Sequence, residues 1–329
     1  MTAGPRFRLH LLGGFALERD GEPRTLAYEK GRALLAYLAT EPARAHSRDV
    51  LAGLFWPGLD AEAARTNLRQ VLHDLRRALS AGADRAGPLR TERTCVRLDA
   101  LALEVDAAEF AAADAACPSV RDADACRACV ARMDELAAHY RGEFLTGLGL
   151  PECEEFEFWL MTQREALHLR ALARHGHLAD CLDALGEPER ALPHALRGCE
   201  LEPWAEDGVR RAMRLYARCG QRAAALDLFD KTRRGMEREL GLAPEAETLA
   251  LAETIRDGGL AEARPGAPLA PVSERRQLTV LHCKLDCPGV DDPDEALDLL
   301  GGPQARCAEI LCAQGGHLAQ VRGASLLAY

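Results

Sequence analysis

The feature that most constrains the fold is a long helical stretch from Val105 almost to Gly258, in which two windows repeat. Gly186 and Gly220 are 34 residues apart, and each is followed five and six positions later by Ala-Leu. A glycine turn between two helices at this period is typical of tetratricopeptide repeats, which stack helix pairs to bury a continuous core. We therefore predict a tetratricopeptide-like helical domain over residues 105–257. An irregular helical bundle is the alternative.

The period at which apolar residues recur changes several times in the first hundred residues, which indicates a mixture of strands and helices. Short strands are predicted at Phe7 to Leu12 and Phe15 to Glu18, with a hairpin signal at Asp20-Gly21. A helix over 29–40 follows, then a short helix with Ser47 as its N-cap candidate, a third helix over about 61–80 and a hairpin over 89–98. Strands, three helices and a terminal hairpin are the order of a winged helix, which we predict for residues 1–104. The predicted fold class is mainly α, with small β-sheets in the winged helix and a partial α/β segment at the C-terminus.

The third helix, ARTNLRQVLHDLRRAL, presents donors and amides on its polar side. Its apolar stripe comprises Ala64, Leu68, Val71, Leu72, Leu75 and Leu79. Thr66, Arg69, Gln70, His73 and Arg77 lie opposite, Arg65 and Arg76 flank them, and Asn67 and Asp74 lie toward the other edge. Arg bonds guanine at two points and Gln or Asn bonds adenine at two points in the major groove, which admits one helix. The pattern favours DNA reading, and a plain solvated face is the alternative.

The distribution of charge agrees with this interpretation. The whole chain has a net charge of -10, but residues 1–105 carry 16 basic and 13 acidic residues, whereas the remainder carries 25 and 38. Only the N-terminal segment, at +3, has a balance that suits a polyanion, and it predicts binding through a local patch rather than through bulk charge.

Residues 1–258 resemble the actinobacterial antibiotic-regulatory (SARP-type) transcriptional regulators, in which an OmpR-like winged helix precedes a bacterial transcriptional activator domain. The matching stretches are LLGGFAL, KGRALLAYLA, SRDVLAGLFWPGLDAEAARTNLRQVLHDLRRAL, YRGEFLTGL and ERELGLAPEAETLAL. The resemblance implies an activator that binds repeated half-sites in double-stranded promoter DNA, as a homodimer, and helps to recruit RNA polymerase.

The resemblance also implies the DNA-contacting residues. On the third helix these are Arg65, Asn67, Arg69, Gln70, His73 and Arg77, and on the wing Arg93. Arg48, at the start of the second helix, would hold a phosphate with help from the positive end of that helix. In the alternative interpretation, His73 merely completes the polar face, and Asn67 bonds its own backbone or turns inward.

The C-terminal part follows a Pro- and Gly-rich linker over residues 258–273. Residues 274–329 read as a strand over 276–285, a helix over 295–313, and two strands over 317–329 with a turn at Arg322-Gly323, and they resemble the start of a class III nucleotidyl cyclase. The two metal-binding Asp positions of that family fall at Lys284 and Ala324, and Asp286 is shifted two residues along the strand. Because two metal ions need anionic oxygen ligands, catalysis is not expected. A degenerate nucleotide-binding or dimerising remnant and a cut fragment of a longer protein both remain open, and we favour the fragment.

Other chemistry has little support in the sequence. Cys126 and Cys129 form one CxxC, with Cys117 and Cys153 as conceivable further zinc ligands, but the segment reads as one helix on which such cysteines pack like small apolar residues. There is no GxxxxGK[ST], HExxH or GxSxG, and no run of about 18 apolar residues that would span a membrane. We therefore expect a cytoplasmic protein that is not an enzyme and needs no cofactor. A protein-interaction scaffold built on the helical domain and a catalytically dead nucleotide sensor are the competing hypotheses.

Overall fold

The computed structural model describes residues 7–41, 44–80, 87–99, 102–112 and 123–259, and parts of the C-terminal segment: 281–284, 302–303, 305–307, 310, 318–322 and 325–328. The chain divides into two compact units, Met1–Ala267 and Pro268–Tyr329. It is mostly helical with small sheets near the N-terminus, which confirms the predicted fold class.

The first unit begins with strands and short helices and continues with longer helices. In chain order its elements are β1 (Phe7–His10), β2 (Ala16–Arg19), β3 (Glu22–Arg24), α1 (Glu29–Thr40), β4 (His46–Ser47), α2 (Arg48–Phe55), α3 (Ala61–Ala78), β5 (Leu89–Thr91), β6 (Cys95–Leu98), β7 (Leu103–Val105), α4 (Asp106–Ala112), α5 (Ala123–Ala137), α6 (Glu154–Ala184), α7 (Pro188–Leu201), α8 (Glu206–Arg218), α9 (Arg222–Glu239) and α10 (Ala246–Arg256).

The N-terminal sheet has the strand order β3-β2-β1-β7. Asp20 and Gly21 have φ values of 52° and 83°, so they form the predicted hairpin turn with both central residues in the left-handed region. Strand β7 was not expected from the sequence. It pairs in parallel with β1, Leu9 opposite Val105, and a pairing across almost a hundred residues leaves no local pattern to find.

The winged helix consists of α1, α2 and α3 with a second sheet of order β4-β6-β5. The predicted bounds of α1 are confirmed, and α3 ends at Ala78 rather than near residue 80. Ser47 occupies the N-cap of α2, but its side chain makes no capping hydrogen bond. Ser47 is also the last residue of β4, opposite Cys95, so the entry to α2 is fixed by strand pairing.

One apolar core joins the winged helix to the first part of the helical segment. Phe55 of α2 packs against Phe156 of α6 with ring centroids 5.2 Å apart, and Tyr37 of α1 meets Trp159 of α6 edge-on at 4.9 Å. The buried thiol of Cys153 donates to the backbone oxygen of Phe55 at 3.3 Å. The winged helix is therefore held on a scaffold that includes α6.

The two repeated glycines end helices α6 and α8 in the same way. Gly186 and Gly220 have φ values of 78° and 73°. At each, the glycine N–H bonds a carbonyl three residues back and the next N–H bonds one five residues back, as in Glu187 N to Leu182 O at 2.9 Å. This is a Schellman motif, which favours glycine because only glycine adopts the left-handed region without steric cost.

The second unit contains β8 (Leu281–Lys284), β9 (Leu318–Arg322) and β10 (Ser325–Ala328) in an antiparallel sheet of order β8-β10-β9. These strands lie where the sequence predicts them. Within the predicted helix over 295–313, the described positions 302–303, 305–307 and 310 are helical.

Candidate nucleic-acid interface

Helix α3 begins with a side-chain cap and is oriented by its apolar stripe. The carboxylate of Asp60 accepts hydrogen bonds from Glu62 N at 3.0 Å and from Ala63 N at 2.9 Å, which satisfies two of the otherwise unpaired N–H groups of the first turn. Five residues of the predicted stripe inside the helix are buried: Ala64, Leu68, Val71, Leu72 and Leu75. Because this stripe is fixed in the core, the direction of the opposite face is fixed too.

The opposite face of α3 is exposed to solvent. Five of the six α3 residues predicted to contact DNA are exposed: Arg65, Arg69, Gln70, His73 and Arg77. Asn67 is half-buried at the edge of the face. The side chain of Arg77 is 80% exposed and that of Arg65 52%, so the described residues leave much of both side chains open to solvent.

Two arginines of this face have acidic neighbours. Arg65 Nε lies 2.7 Å from Asp49 Oδ1 at the start of α2, and this hydrogen bond lowers the pKa of Asp49. Arg77 Nη2 lies 3.9 Å from Asp74 Oδ1 one turn earlier. Such exposed pairs are weak and easily exchanged for another anion.

The wing lies against the N-terminus of α2. Arg48 N donates to Thr94 O at 2.9 Å, and Arg48 Nη1 donates to Glu92 O at 3.3 Å. The predicted phosphate ligand Arg48 is thus half-buried and holds the tip of the wing, while Arg93 in the β5–β6 turn is exposed. Since Asp49 binds Arg65, the contacts run from α3 through the start of α2 to the wing.

The structure adds three arginines to the set chosen from the sequence. Arg76 is exposed on α3, and Arg90 and Arg97 are directly opposed on β5 and β6, with their side chains exposed. Like charges in opposed positions of a hairpin are unfavourable unless an anion compensates them, and here Asp99 Oδ2 lies 3.7 Å from Arg90 Nη2. The sequence carried a signal for these two exposed arginines. In LRT and CVRL, arginine alternates with leucine and valine, which are the residues that the structure buries.

The CxxC lies on one helix, as expected. Cys129 of α5 has its Sγ 3.8 Å from His177 Nε2 of α6, and Cys181 Sγ approaches the same nitrogen at 3.3 Å. Burial lowers the pKa of His177, so the imidazole is a neutral hydrogen-bonding partner for the thiols. Cys153, named as a conceivable ligand, is bound instead to Phe55 O, and Cys117 lies outside the described residues. Within the described part of the chain, no group of three or more Cys, His, Asp or Glu residues is placed to hold a metal ion.

The helical segment is similar to a known protein family. Residues 105–256 match the family model of the bacterial transcriptional activator domain. We refer to this stretch as the activator-domain segment. Over 258 residues the chain is 27% identical to the transcriptional regulatory protein MoaR1 of Mycobacterium tuberculosis, covering 77% of this chain and 80% of that protein, and it is equally similar to MoaR1 of Mycobacterium bovis.

The fold also has a relative among solved structures. Mycobacterium tuberculosis EmbR, in a complex with a low-affinity phosphopeptide, superposes with a TM-score of 0.57 at 22% identity over 77% of this chain. The present chain spans 65% of the length of that protein. A match over 77% of the chain is longer than residues 105–329, so it includes part of the winged helix. Among the described helices, none is both long and apolar enough to cross a lipid bilayer.

Proposed function

We propose that the protein is a sequence-specific DNA-binding transcriptional activator that acts in the cytoplasm. The single observation that carries the proposal is the exposed face of α3, on which Arg65, Arg69, Gln70, His73 and Arg77 point away from a fully buried stripe. These are the side-chain types that read base edges, and an α-helix is narrow enough to enter the major groove. Similarity to proteins named as transcriptional regulators supports the same class of function.

In this proposal, α3 contacts the bases, whereas the wing and the start of α2 contact the DNA backbone. Arg69, Gln70 and Arg77 read bases, whereas Arg93 on the wing and Arg48 beside it neutralise phosphates. Specificity then comes from α3, and the salt dependence of binding comes mainly from the wing and its surroundings.

The test is DNA selection followed by a matched comparison of variants. The full chain is used to recover binding sites from a random duplex library, and binding to a recovered and a scrambled duplex is measured by fluorescence anisotropy across a salt series. Arg69→Ala combined with Arg77→Ala should abolish the preference for the recovered sequence, because each lost bidentate base contact is worth about 1–3 kcal/mol.

The control is Arg233→Ala combined with Arg238→Ala, which removes the same charge from exposed positions of α9. This variant should keep the preference of the wild-type chain. Recovery of no sequence, or an unchanged preference in the α3 variant, would refute the proposal and favour a protein-interaction scaffold.

We further propose that the protein binds repeated half-sites as a homodimer and recruits RNA polymerase through the activator-domain segment. Sedimentation of the chain with one-site and two-site duplexes tests dimerisation, with two chains expected per two-site duplex. Transcription from a template carrying the selected site, with and without the protein, tests recruitment.

For residues 274–329 we propose a cyclase-like segment without catalysis. Lys284, at one of the two positions where the cyclase family has a metal-binding Asp, lies opposite Ser325 in the β8–β10 pairing. Ala324, at the other, lies outside the described residues, and its methyl side chain offers no oxygen ligand to a metal ion. A cyclase assay with ATP or GTP and manganese should give no turnover, and any turnover would overturn the argument.

A further inference from the structure

A groove runs along one side of α3, between this helix and the N-terminal sheet. It has a volume of about 530 Å³ and is lined by both elements and by the segment that leads into α1. Gln70 and Arg77 of α3 line it from one side, and Arg19 and Arg24 of strands β2 and β3 line it from the other. The groove is thus continuous with the face that the proposed function directs at DNA.

The charge of the groove suits an anion. Three arginines line it, and the one acidic side chain in its lining, Asp74, already lies beside Arg77. Arg19 is committed to the fold, because its Nη1 donates to Ser80 O at 2.8 Å. Arg24 is exposed on the edge strand β3, and no acidic side chain of the described residues pairs with it.

The position of the groove beside α3 indicates which anion it binds. Arg65 faces α2 and the wing, whereas Gln70 lies about 140° further around the helix and faces the groove, since successive residues advance by about 100°. A helix of about 10–12 Å diameter fills a major groove of about 12 Å, so a sugar-phosphate strand runs along each of its two sides. The wing and the start of α2 lie beside one strand, and the arginine-lined groove lies beside the other.

We infer that Arg24, across the groove from the base-reading Arg77, holds a backbone phosphate of the second DNA strand, so that the N-terminal sheet is part of the DNA interface. This inference rests on the proposed function and extends it to an element outside the three helices and the wing. The occupant is the duplex itself rather than a small anion, because two of the lining residues lie on the exposed face of α3.

The test compares salt dependence in the full chain. Arg24→Ala should weaken binding to the recovered and the scrambled duplex by the same factor, about tenfold or less, and lower the slope of log K against log salt by about 1. Arg24→Lys should restore the slope, since a phosphate needs a cation rather than a particular shape. Arg233→Ala on α9 is the matched control and should keep both the affinity and the slope.

The outcomes separate this inference from the proposed function. If the wild-type chain prefers its recovered site and the Arg69 and Arg77 double variant loses it, but Arg24→Ala leaves the slope unchanged, the inference is wrong and the proposed function stands. An unchanged slope is also the result expected if the groove takes a small anion. If Arg24→Ala weakens only the recovered sequence, Arg24 reads a base and the phosphate assignment is overturned.

Discussion

At the scale of single residues, the structure separates cations that are available for a ligand from cations that serve the fold. Arg69 and Arg77 are exposed on α3, and among the described residues their polar neighbours are weak ones, Thr66 at 3.5 Å and Asp74 at 3.9 Å. Arg48 holds the tip of the wing, and Arg210 is buried among the acidic and hydroxyl groups of α8 and α10. Because arginine occurs throughout this chain, the presence of an arginine does not indicate a ligand site. The environment of each guanidinium group shows whether it is available for a ligand.

A buried histidine pair between α6 and α7 makes stability dependent on pH. His175 Nδ1 and His194 Nδ1 are 3.2 Å apart, and Asp134 lies 3.4 Å from the other nitrogen of His194. Burial lowers the pKa of His175 to about 4, with His194, Arg197 and Arg174 acting in the same direction. The folded chain therefore keeps this imidazole neutral where the unfolded chain would protonate it.

We expect the free energy of unfolding to fall as the pH drops from about 6.5 toward 4, since the unfolded state binds more protons in that range. From His175 alone the loss is about 2 kcal/mol between pH 7 and pH 5. Urea unfolding at both pH values checks this, and His175→Gln should show a smaller difference between them.

His73→Gln is the control for this prediction. The side chain of His73 is exposed on α3, and this variant should keep the pH dependence of the wild-type chain. An NMR titration in which the His175 imidazole protonates near pH 6.5 would contradict the prediction, whatever the stability of the variant.

At the scale of elements, the helical segment depends on how its helices end. The glycines after α6 and α8 permit the chain to reverse within three residues, 185–187 and 219–221, and the next helix begins at Pro188 or at Arg222. The short turns place consecutive helices side by side, which is what a repeat stack requires.

Gly186→Ala and Gly220→Ala should each lower the free energy of unfolding by about 1–2 kcal/mol, because a Cβ is disfavoured in the left-handed region. Gly208→Ala is the matched control. Gly208 lies within α8 with open space around its Cα, so alanine should raise stability by about 0.5–1 kcal/mol. Thermal and urea denaturation of the three variants give the comparison, and an equal effect at all three sites would contradict it.

At the scale of the whole molecule, the winged helix and α6 share a core. The cluster of buried residues that includes Leu68 and Leu75 of α3 also includes Phe156 and Leu160 of α6. The helices from α8 to α10 bury a separate cluster around Phe229. A signal or partner that moves α6 would therefore act directly on the core that holds α3.

Phe156→Ala should cost about 3–5 kcal/mol and increase amide hydrogen exchange in α3 as well as in α6, because its ring packs on Phe55 and Trp159. Phe229→Ala, in the separate cluster, should increase exchange mainly in α9 and α10. Hydrogen exchange read by mass spectrometry tests both, and unchanged protection of α3 in the Phe156 variant would count against a shared core.

The sequence by itself determined the features that depend on neighbours within a few turns. The stripe of α3, its outward polar face, the Asp20-Gly21 turn and the two glycine helix ends all follow from residues close together in the chain, and the structure confirms each. The resemblance of the helical segment to the bacterial transcriptional activator domain also follows from short stretches of the sequence.

Only the tertiary structure decided which groups distant in the chain meet. The parallel pairing of β7 with β1, the pairing of Arg65 with Asp49, the hold of Arg48 on the wing and the groove that Arg24 and Arg77 line from opposite sides join residues from separate elements. The physical reason is that periodicity reports which face of an element is buried, whereas it carries no information about which other element covers or flanks that face.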